Sequence, residues 1–524
     1  MQINGAMLIG ADESWTDRRF GETGLSDGSG FSSAGPDEAA RACALADDAL
    51  ASFSETDPAT RAAFLEAVAD AIAAIGEPLI ERAMAETGLP RARLESERGR
   101  TTGQLRLFAD IVRGGDWADV TVDAAMPDRQ PLPRPDLRRR NVALGPVAVF
   151  GASNFPLAFS TAGVDTASAF AAGCPVVVKG HPAHPGTGEL VARAVRDAVA
   201  RAGLHPGVFS FLPGETNELG GALVADPRVK AVGFTGSRAG GLALMRIAAA
   251  RPEPVPVFAE MSSINPVILF PAALEARAEA LGAAFIQSLT MGAGQFCTNP
   301  GLILALEGPA LERFVAAAAA ALAAAPAQRM LSSDIRRIYE GGVDALERHD
   351  AVSLVAKGCV GEGQDQASGA LFRTDAAGFT GDAALGHEVF GSSSIIVACR
   401  DFHEIARVVA GLEGQLTGTL HLDPADEPLA APFVPLLERK AGRVLANGWP
   451  TGVEVVPAMV HGGPFPATSD ARTTSVGSLA MQRFLRPVCY QALPDGLLPP
   501  AVKAANPWAM PRRVDGAWRR AEEL

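Results

Sequence analysis

One cysteine and one glutamate stand where the sequence offers a nucleophile and a base. Cys297 lies in the stretch GQFCTNPG, directly after the small residues TMGA. A thiolate is a strong nucleophile, although many free cysteines are only buried packing residues. Glu260 ends an apolar run in VFAEMSSINPVILF, where burial would raise the pKa of its carboxyl group and suit it to general base catalysis. The alternative for Glu260 is an ordinary glutamate at a strand end.

Three further segments place polar or glycine residues at the ends of short apolar runs. Asn154 follows a run in GASNFP, and Lys179 closes PVVVK. Gly236 and Gly241 lie in GFTGSRAGG, where a strand, a turn and the start of a helix would present backbone N–H groups to a phosphate. Taken singly, these residues could equally be a helix cap, a solvated charge and a glycine turn. Together they match the rule that ligands bind beyond the carboxyl ends of parallel strands.

Short apolar runs and helical stretches alternate around these residues. The strands are predicted in PVAVFGA, CPVVVKG, VFSFLP and VKAVGFTGS, and the helices between them at 156–172, 187–202 and 218–225. This alternation predicts a doubly wound α/β nucleotide-binding domain with a parallel sheet. Residues 36–107 have helical periodicity, and a second α/β region, which carries Cys297, is predicted to begin near Val257. The proline- and arginine-rich segment near 126–144 is interpreted as an extended arm rather than a linker.

The composition narrows the function classes. The chain has 524 residues, which predicts two or three domains, and a formal net charge of −13, which argues against a nucleic-acid surface. Its six cysteines form no CxxC pair, so neither a disulfide framework nor a zinc site is expected. No apolar run approaches the ~20 residues of a membrane span. The start of the chain lacks the features of a secretion signal, and a cytoplasmic protein is therefore expected.

The order of these segments resembles the aldehyde dehydrogenase superfamily over roughly residues 36–487. The segments that carry the resemblance are GASNFP, PVVVKG, GFTGSRAGG, the glutamate of AEMSS, GQFC and HEVFG. Within the superfamily, FGASNFPLAFS, HPAHPGT, EMSSINP and GGPFPATSDARTTSVG look like the branch of α-ketoglutaric semialdehyde (2,5-dioxopentanoate) dehydrogenases and their NADP-preferring relatives. The resemblance implies oxidation of an aldehyde to an acid through a cysteine thiohemiacetal and a thioester.

The resemblance also implies site residues. Cys297 would be the nucleophile, Glu260 would activate the hydrolytic water, and Asn154 with the Cys297 N–H would stabilise the oxyanion. The expected cofactor-binding residues are Ala152, Ser153, Lys179, His181, Gly236, Ser237, Arg238, Gly241, Glu388 and Phe390. An aromatic tunnel and a cation for a substrate carboxylate are expected from Phe155, Phe159, Phe296, Phe465 and Arg472, although Arg472 could as well be a surface loop residue.

Two departures from the common superfamily pattern bear on the cofactor. Ser262 and Ser263 stand where two glycines usually follow the glutamate motif. Pro182 stands where many NAD-preferring members have an acidic residue, which would repel a 2′-phosphate. NADP is therefore the expected cofactor, with NAD possible, and Lys179 would face the phosphate with help from His181, Thr187 or Arg238. No metal is expected.

The resemblance implies a division of the chain. Residues 1–125 and 145–257 are expected to form the dinucleotide-binding domain, and 258–475 the catalytic domain. Residues 126–144 and 476–500 are expected to form an oligomerisation arm, and 501–524 a C-terminal extension. The arm and the tail strand would pair across subunits into a homodimer or homotetramer, and the only other partner expected is a small-molecule aldehyde, with no nucleic acid and no membrane.

Several alternatives stay open on the sequence alone. One is a broad-specificity NADP-dependent enzyme for aliphatic or aromatic aldehydes. Another transfers the thioester to coenzyme A or phosphate, although a base at Glu260 favours water. A third is a cysteine-dependent esterase or hydrolase, which would need a histidine base, and none of the eight histidines stands in a motif near Cys297. A catalytically silent relative is the last, and it would have no reason to keep the whole set of site residues.

Overall fold

A computed structural model describes residues 2–21 and 30–520 of the chain. Its strands form two seven-stranded sheets, one five-stranded sheet and two two-stranded sheets. The elements up to residue 260 are, in chain order, β1 Met7–Ile9, β2 Asp12–Ser14, β3 Arg19–Phe20, β4 Phe31–Ser32, α1 Pro36–Ser54, α2 Pro58–Ile75, α3 Glu77–Thr87, α4 Arg91–Gly114, β5 Thr121–Asp123, β6 Leu137–Ala143, β7 Val147–Phe150, α5 Val164–Ala172, β8 Val176–Lys179, α6 Pro185–Arg201, β9 Phe209–Leu212, α7 Asn217–Ala225, β10 Ala231–Thr235, α8 Arg238–Ala249 and β11 Val257–Glu260.

The second half of the chain continues the same alternation of strands and helices. Its elements are β12 Pro266–Leu269, α9 Pro271–Thr290, β13 Leu302–Leu306, α10 Pro309–Ala323, β14 Gln328–Arg329, α11 Ser333–Glu347, β15 Ser353–Lys357, β16 Gln366–Ala367, β17 Ala370–Asp375, α12 Ala376–Gly381, β18 Ser393–Cys399, α13 Phe402–Gly411, β19 Gln415–His421, α14 Glu427–Ala430, α15 Phe433–Glu438, β20 Ala441–Ala446, β21 Leu485–Gln491, β22 Arg512–Val514 and β23 Ala517–Arg519.

The first sheet is covered by helices on both faces, as its apolar strands require. Its strand order is β11-β10-β7-β8-β9-β1-β2, parallel from β11 to β9 and antiparallel at β1 and β2. In β7, Val147 and Val149 pack into one apolar core, and Ala148 and Phe150 into the other. Helices α2, α4, α5 and α6 contribute to the first core, and α1, α7 and α8 to the second. The predicted strand and helix alternation is confirmed in this region.

The strand that carries Glu260 belongs to this first sheet. β11 pairs in parallel with β10, and Thr235 stands opposite Glu260. The chain had been expected to enter its second α/β region near Val257, but the first strand of the second sheet is β12. The carboxyl end of β11 therefore lies beside the turn after β10, where Gly236 N donates to Glu260 O at 3.1 Å.

The helix expected from Pro156 begins later than predicted. Residues 156–163 form turns, and α5 starts at Val164. The buried Glu97 carboxylate of α4 accepts hydrogen bonds from Leu157 N and Ala158 N at 2.9 and 3.0 Å. Because these N–H groups bind a distant side chain, the loop after β7 is fixed by tertiary contacts that local sequence does not reveal.

The second sheet carries the loop with Cys297. Its strand order is β15-β17-β18-β13-β12-β19-β20, and only β15 runs antiparallel to its neighbour. Helices α9 and α10 contribute to the apolar core on one face, while α11 to α13 and α15 contribute to the other. Cys297 lies between α9 and β13, so its position depends on one end of a central strand.

The third sheet joins distant parts of the chain in the order β21-β6-β5-β22-β23. The two segments expected to form an arm contain β6 and β21, which pair antiparallel from Leu137 to Ala143. Two strands of the expected C-terminal extension, β22 and β23, continue the same sheet. In the described residues, no helix combines the length and apolar character that crossing a membrane would require.

Candidate active site

The loop before β13 holds Cys297 through close backbone contacts. Gly294 has a φ of +67°, and a Cβ there would lie 2.3 Å from the backbone carbon of Gly391. Gln295 Oε1 accepts a hydrogen bond from Leu331 N at 3.0 Å. Asn265 Nδ2 donates to the backbone oxygen of Cys297 at 2.9 Å. The glycine is therefore required by the approach of two chains, and the thiol is held in a defined place.

The side chain of His461 lies between the thiol and Glu260. Its Nε2 is 3.3 Å from Cys297 Sγ and 2.9 Å from Glu260 Oε1. The other carboxylate oxygen of Glu260 accepts a hydrogen bond from Ser475 Oγ at 2.9 Å. His461 and Glu260 are buried, and Cys297 is half-buried. The structure thus brings the predicted nucleophile and base together, with an imidazole between them.

No histidine stands in a motif near Cys297 in the sequence, but the fold brings His461 to the thiol. His461 stands in VHGGPF, far from the cysteine in sequence and outside any motif that the sequence analysis used. Its backbone N donates to Thr474 Oγ1 at 2.8 Å, and its backbone O accepts from Ser475 N at 2.9 Å. These two bonds fix the loop that carries the imidazole, and only the folded chain reveals its target.

The environment shifts the pKa values of the thiol and the carboxyl groups in different directions. Burial, and then the negative charge of Glu260, raises the pKa of Cys297 well above its usual value. Burial alone would raise the pKa of Glu260, but His461 and Ser475 outweigh it and lower that pKa below its usual value. The raised pKa expected for Glu260 is therefore wrong. Burial instead raises the pKa of Glu388 to about 8.

Asn154 connects the first sheet to the cysteine loop. It follows β7, and its Nδ2 donates a hydrogen bond of 3.0 Å to the backbone O of Gln295. Its own backbone O accepts from Arg93 Nη2 at 3.1 Å. An amide N–H near the thiol is the type of donor that stabilises an oxyanion.

Three of the four predicted tunnel residues form one aromatic cluster beside the thiol. The Phe155 ring centroid is 5.3 Å from that of Phe159 and 5.5 Å from that of Phe296. All three rings are buried and pack with Val453, Val455 and Met459. Phe465 does not join them, since it is half exposed and lies beneath the guanidinium of Arg238, 5.7 Å from its centroid.

Two arginines of α4 border this aromatic cluster, and the sequence analysis did not select them. The Arg93 guanidinium carbon lies 4.4 Å from the Phe155 centroid and 4.7 Å from that of Phe296. The Arg100 guanidinium carbon lies 5.5 Å from Phe155 and 5.2 Å from Phe159. Arg93 and Glu97 form an ion pair at 3.5 Å, whereas Arg100 makes no hydrogen bond or ion pair within residues 2–21 and 30–520.

The structure does not place Arg472 in the pocket. Its side chain is 87 % exposed and forms an ion pair with Asp470 at 2.7 Å. A cation in a short surface loop, already paired with its neighbour, cannot anchor a substrate next to the buried thiol. The surface-loop alternative describes Arg472 correctly.

The expected cofactor residues of the first sheet lie at the ends of β7 and β8. Ala152 and Ser153 follow β7, and Lys179 ends β8. Burial lowers the pKa of Lys179 to about 8, and its ammonium group has no hydrogen-bond or ion-pair partner in the part of the chain that the structure describes. His181 stacks on His184 with centroids 5.3 Å apart. Burial, and then the electrostatic effect of His184 and Lys179, keeps the pKa of His181 well below its usual value.

Two helix N-termini near these strands differ in what they can offer to a phosphate. At α6, Glu86 accepts hydrogen bonds from Gly186 N and Thr187 N at 2.7 and 2.8 Å, and from Thr187 Oγ1 at 2.7 Å. At α8, Ser237 caps the helix through Gly240 N at 3.2 Å, and no carboxylate of residues 2–21 and 30–520 accepts from the backbone N–H groups of the first turn. An anion is therefore excluded from α6 and favoured at α8. Thr187 is engaged by Glu86 and does not help to hold a 2′-phosphate.

Two further expectations change in the folded chain. A Cβ on Gly241 would lie 2.7 Å from Met261 Sδ, so this glycine allows α8 to pack closely against the strand end. Arg238 is held by Glu413 in two hydrogen bonds of 2.7 and 3.0 Å. The Arg238 side chain therefore joins α8 to the second half of the chain.

Glu388 and Phe390 line a cavity next to the cysteine loop. The same cavity is bordered by Ser263, Gly294 and Asn299. Lys179, which has no partner among the described residues, the first turn of α8 and the Glu388 carboxyl group together provide a cation, phosphate donors and a hydroxyl acceptor. This donor set fits a dinucleotide.

The same cluster also has the spacing of metal ligands. Cys297 Sγ, His461 Nε2 and Glu260 Oε1 all lie within 4.8 Å of one another. Thiolate, imidazole and carboxylate are the ligands that Zn²⁺ prefers. No metal is expected from the sequence, because its six cysteines form no CxxC pair.

Comparison with known proteins decides the family. The model of the Aldehyde dehydrogenase family matches residues 28–463. The chain belongs to the aldehyde dehydrogenase family. The enzyme is 57 % identical over 522 residues to Alpha-ketoglutaric semialdehyde dehydrogenase 2 of Azospirillum brasilense, covering 98 % of this chain and 99 % of the relative. It is 49 % identical over 487 residues to Alpha-ketoglutaric semialdehyde dehydrogenase of Acinetobacter baylyi, covering 93 % and 92 % of the two chains.

Solved structures agree with the fold of this aldehyde dehydrogenase. A betaine aldehyde dehydrogenase mutant from Staphylococcus aureus superposes with a TM-score of 0.78 at 19 % identity, covering 94 % of this chain and 96 % of that one. A mutant of Aldehyde Dehydrogenase C from Pseudomonas syringae, complexed with NAD⁺ and octanal, superposes with a TM-score of 0.77 at 19 % identity, covering 93 % and 96 %. The predicted fold class and family are confirmed, and the protein is an NAD(P)-dependent enzyme that oxidises aldehydes.

Proposed function

We propose that this aldehyde dehydrogenase oxidises α-ketoglutaric semialdehyde to 2-oxoglutarate, with NADP⁺ as its preferred cofactor. The observation that carries the substrate proposal is the Arg100 guanidinium, which has no ion-pair partner among the described residues and borders the aromatic pocket beside Cys297. The names of the two relatives at 57 % and 49 % identity support the same substrate.

The proposed substrate has an aldehyde at one end and a carboxylate at the other. A half-buried cation without a partner has lost part of its solvation free energy. A charge-assisted hydrogen bond to an anion offsets that loss, so the site favours a negatively charged substrate. Burial lowers the pKa of Arg100 and that of Arg93, and the Cys297 charge partly offsets both shifts. Arg93 lies against Phe296, the residue before Cys297, and Arg100 lies against the same aromatic cluster. One short molecule in this cluster would therefore contact the thiol and an arginine together.

Cys297 is the proposed nucleophile. Its sulfur attacks the aldehyde carbon, the C–S bond forms, and the carbonyl oxygen takes the negative charge. The Asn154 amide and the Cys297 backbone N–H would donate to that oxygen. A neutral amide suits this role because, unlike a cation, it does not bind the Glu260 carboxylate in place of the oxyanion.

Glu260 is the proposed base for the second half of the reaction. Its lowered pKa keeps the carboxylate ionised at neutral pH, so that it can accept a proton from water. The water then attacks the thioester, the acid is released and the Cys297 sulfur leaves. A base whose carboxylate oxygen lies within 4.8 Å of the Cys297 sulfur favours water over coenzyme A as the acceptor of the acyl group.

The residues proposed to hold NADP⁺ are Lys179, Gly236, Ser237, Glu388 and Phe390. The pyrophosphate would meet the first turn of α8 at Gly236 and Ser237, and Glu388 would accept hydrogen bonds from ribose hydroxyls. Lys179 would face the 2′-phosphate, and Pro182 supplies no opposing carboxylate. When bound, the cofactor accepts the hydride that leaves the cysteine-bound intermediate.

A second candidate keeps the chemistry and broadens the substrate. The cluster of Phe155, Phe159 and Phe296 would also accommodate uncharged aliphatic or aromatic aldehydes. The test is kcat/KM for α-ketoglutaric semialdehyde and for pentanal, each measured with NADP⁺ and with NAD⁺. The proposal requires the charged substrate and NADP⁺ to give the highest value, and equal values for the two aldehydes would favour the second candidate.

We further infer that the enzyme assembles as a homodimer or homotetramer through its five-stranded sheet. Within the described residues β21 is an edge strand of that sheet and pairs only with β6, which leaves one side of its backbone open to a strand of another subunit. Sedimentation at several concentrations tests this assembly, and a monomer at every concentration would contradict it.

A further inference from the structure

The geometry points to His461 as a further catalytic residue: it accepts the proton of the Cys297 thiol and holds it between the sulfur and Glu260 while the thiolate attacks. This inference rests on the proposed role of Cys297 as the nucleophile, but not on the identity of the aldehyde or on the preference for NADP⁺.

A single ring nitrogen faces both acidic partners. His461 Nε2 lies 3.3 Å from Cys297 Sγ and 2.9 Å from Glu260 Oε1. The contact with a carboxylate oxygen is favourable only when a proton lies between the two atoms. The carboxylate therefore stabilises the protonated imidazole, which is the form that the ring takes after it removes the thiol proton.

The orientation of the imidazole is fixed from three sides. The backbone of His461 is bonded to Thr474 and Ser475, and the Phe159 ring lies 6.1 Å from the imidazole centroid. Ser475 also donates to the second oxygen of Glu260. Turning Nε2 away from the sulfur would also break its contact with Glu260.

The thiol needs such a base. Burial and the Glu260 charge hold the pKa of Cys297 well above its usual value, and the attraction of Arg100 only partly opposes this. Without a proton acceptor the cysteine would stay protonated, and a thiol is a far weaker nucleophile than a thiolate. The imidazole Nε2, 3.3 Å from the sulfur, is placed to receive the proton, and Glu260 stabilises the imidazolium that forms.

The proton transfer is balanced within the site. The S–H bond of Cys297 breaks, an N–H bond forms at Nε2, and the electron pair stays on sulfur. The imidazolium then lies between a thiolate and a carboxylate. When the thioester is hydrolysed, the sulfur leaves as the thiolate beside the imidazolium, and this resting ion pair is restored without a further proton transfer.

The test follows the reactivity of Cys297 without substrate or cofactor. In the full-length wild-type enzyme at neutral pH, the thiolate should show its ultraviolet absorbance and Cys297 should react rapidly with iodoacetamide. His461→Gln should lose this absorbance and react about 10²-fold more slowly. His403→Gln, on the exposed face of α13, is the matched control and should behave as wild type.

Chemical rescue separates catalysis from structure. His461→Ala leaves space for a small base, and added imidazole should restore iodoacetamide reactivity and aldehyde oxidation towards wild type, while added pyrazole at the same concentration should not. Unchanged alkylation in both His461 variants would overturn the inference. So would a wild-type enzyme without thiolate absorbance, which decides the question even if the variants do not fold.

The two proposals can fail separately. If wild type does not oxidise α-ketoglutaric semialdehyde but alkylation still depends on His461, only the substrate proposal fails. If the substrate is oxidised and alkylation does not depend on His461, only the role of the imidazole fails.

Discussion

The Asn154 side-chain amide donates a hydrogen bond of 3.0 Å to the backbone carbonyl oxygen of Gln295, two residues before Cys297 in the chain. This bond joins the loop after the first sheet's β7 to the loop that carries the thiol. One amide hydrogen positions the cysteine loop, and in the proposed mechanism the other would donate to the oxyanion. Two assays of one substitution separate the structural task from the proposed chemical one.

Asn154→Ala should lower kcat by about 10²–10³, because one oxyanion donor is lost. The measurement is steady-state oxidation of a good aldehyde with saturating cofactor. Alkylation of Cys297 by iodoacetamide forms no oxyanion, so its rate should stay near that of wild type. If alkylation falls as far as kcat does, Asn154 acts only by positioning the cysteine loop.

Arg100→Leu should lower kcat/KM for α-ketoglutaric semialdehyde about 10- to 100-fold, which is the usual effect of a charge-assisted hydrogen bond. For pentanal the value should change little, since no carboxylate is present. Arg472→Leu is the matched control, because that arginine is 87 % exposed and paired with Asp470. An equal loss for both aldehydes in Arg100→Leu would show that the arginine supports the aromatic pocket instead of binding the carboxylate.

The affinity for NADP⁺ should depend on pH through Lys179. Burial lowers its pKa to about 8 in the free enzyme, and a bound phosphate would raise that pKa again. Affinity should therefore be constant just below pH 8 and fall up to tenfold per pH unit above it, as the free enzyme loses the proton that the complex retains. Calorimetry with NADP⁺ and NAD⁺ measures this dependence.

Lys179→Met is the control for this pH dependence. The variant should bind NADP⁺ weakly and without the change above pH 8. His181 should not contribute, because its pKa lies well below its usual value and the ring stays neutral in this range. An unaltered pH dependence in Lys179→Met would assign the titration to another group.

Zn²⁺ should inhibit the enzyme reversibly at the cluster of Cys297, His461 and Glu260. Their ligand atoms lie within 4.8 Å of one another, and small shifts would bring them to a common ion. A chelator should restore activity, and the chelator alone should leave the untreated enzyme unchanged. His461→Gln should weaken the inhibition at least tenfold, whereas His403→Gln should not, so equal inhibition of both variants would place the zinc elsewhere.

The sequence predicts the first sheet well, because its strands are short apolar runs that must be buried on both faces. Alternate residues of β7 enter two different cores, which is the reason that its sequence shows no polar face. The three-residue strands β1, β22 and β23 are too short to leave a periodic pattern, and they depend on partners distant in sequence. The turns after Pro156 depend on Glu97 of another helix.

The missed site residues share a cause. His461 is a single histidine in a loop without periodicity, and its contacts are made across the fold. Arg93 and Arg100 lie in a charged helix that resembles a solvated one, and only the aromatic rings of a distant loop reveal their position. The spacing of Arg93, Glu97 and Arg100 places them on one helix face, and that is the signal that could have identified the set.

The most direct test of the central claim uses Glu260→Gln, incubated with α-ketoglutaric semialdehyde and NADP⁺ and then analysed by mass spectrometry of its peptides. Without the base for hydrolysis, the account predicts about one NADPH per subunit in a burst. It also predicts an acyl group of the mass of the substrate, less one hydrogen, on the peptide that contains Cys297. NADPH formation with steady turnover and no acyl group on Cys297, or an acyl group on another cysteine, would contradict it.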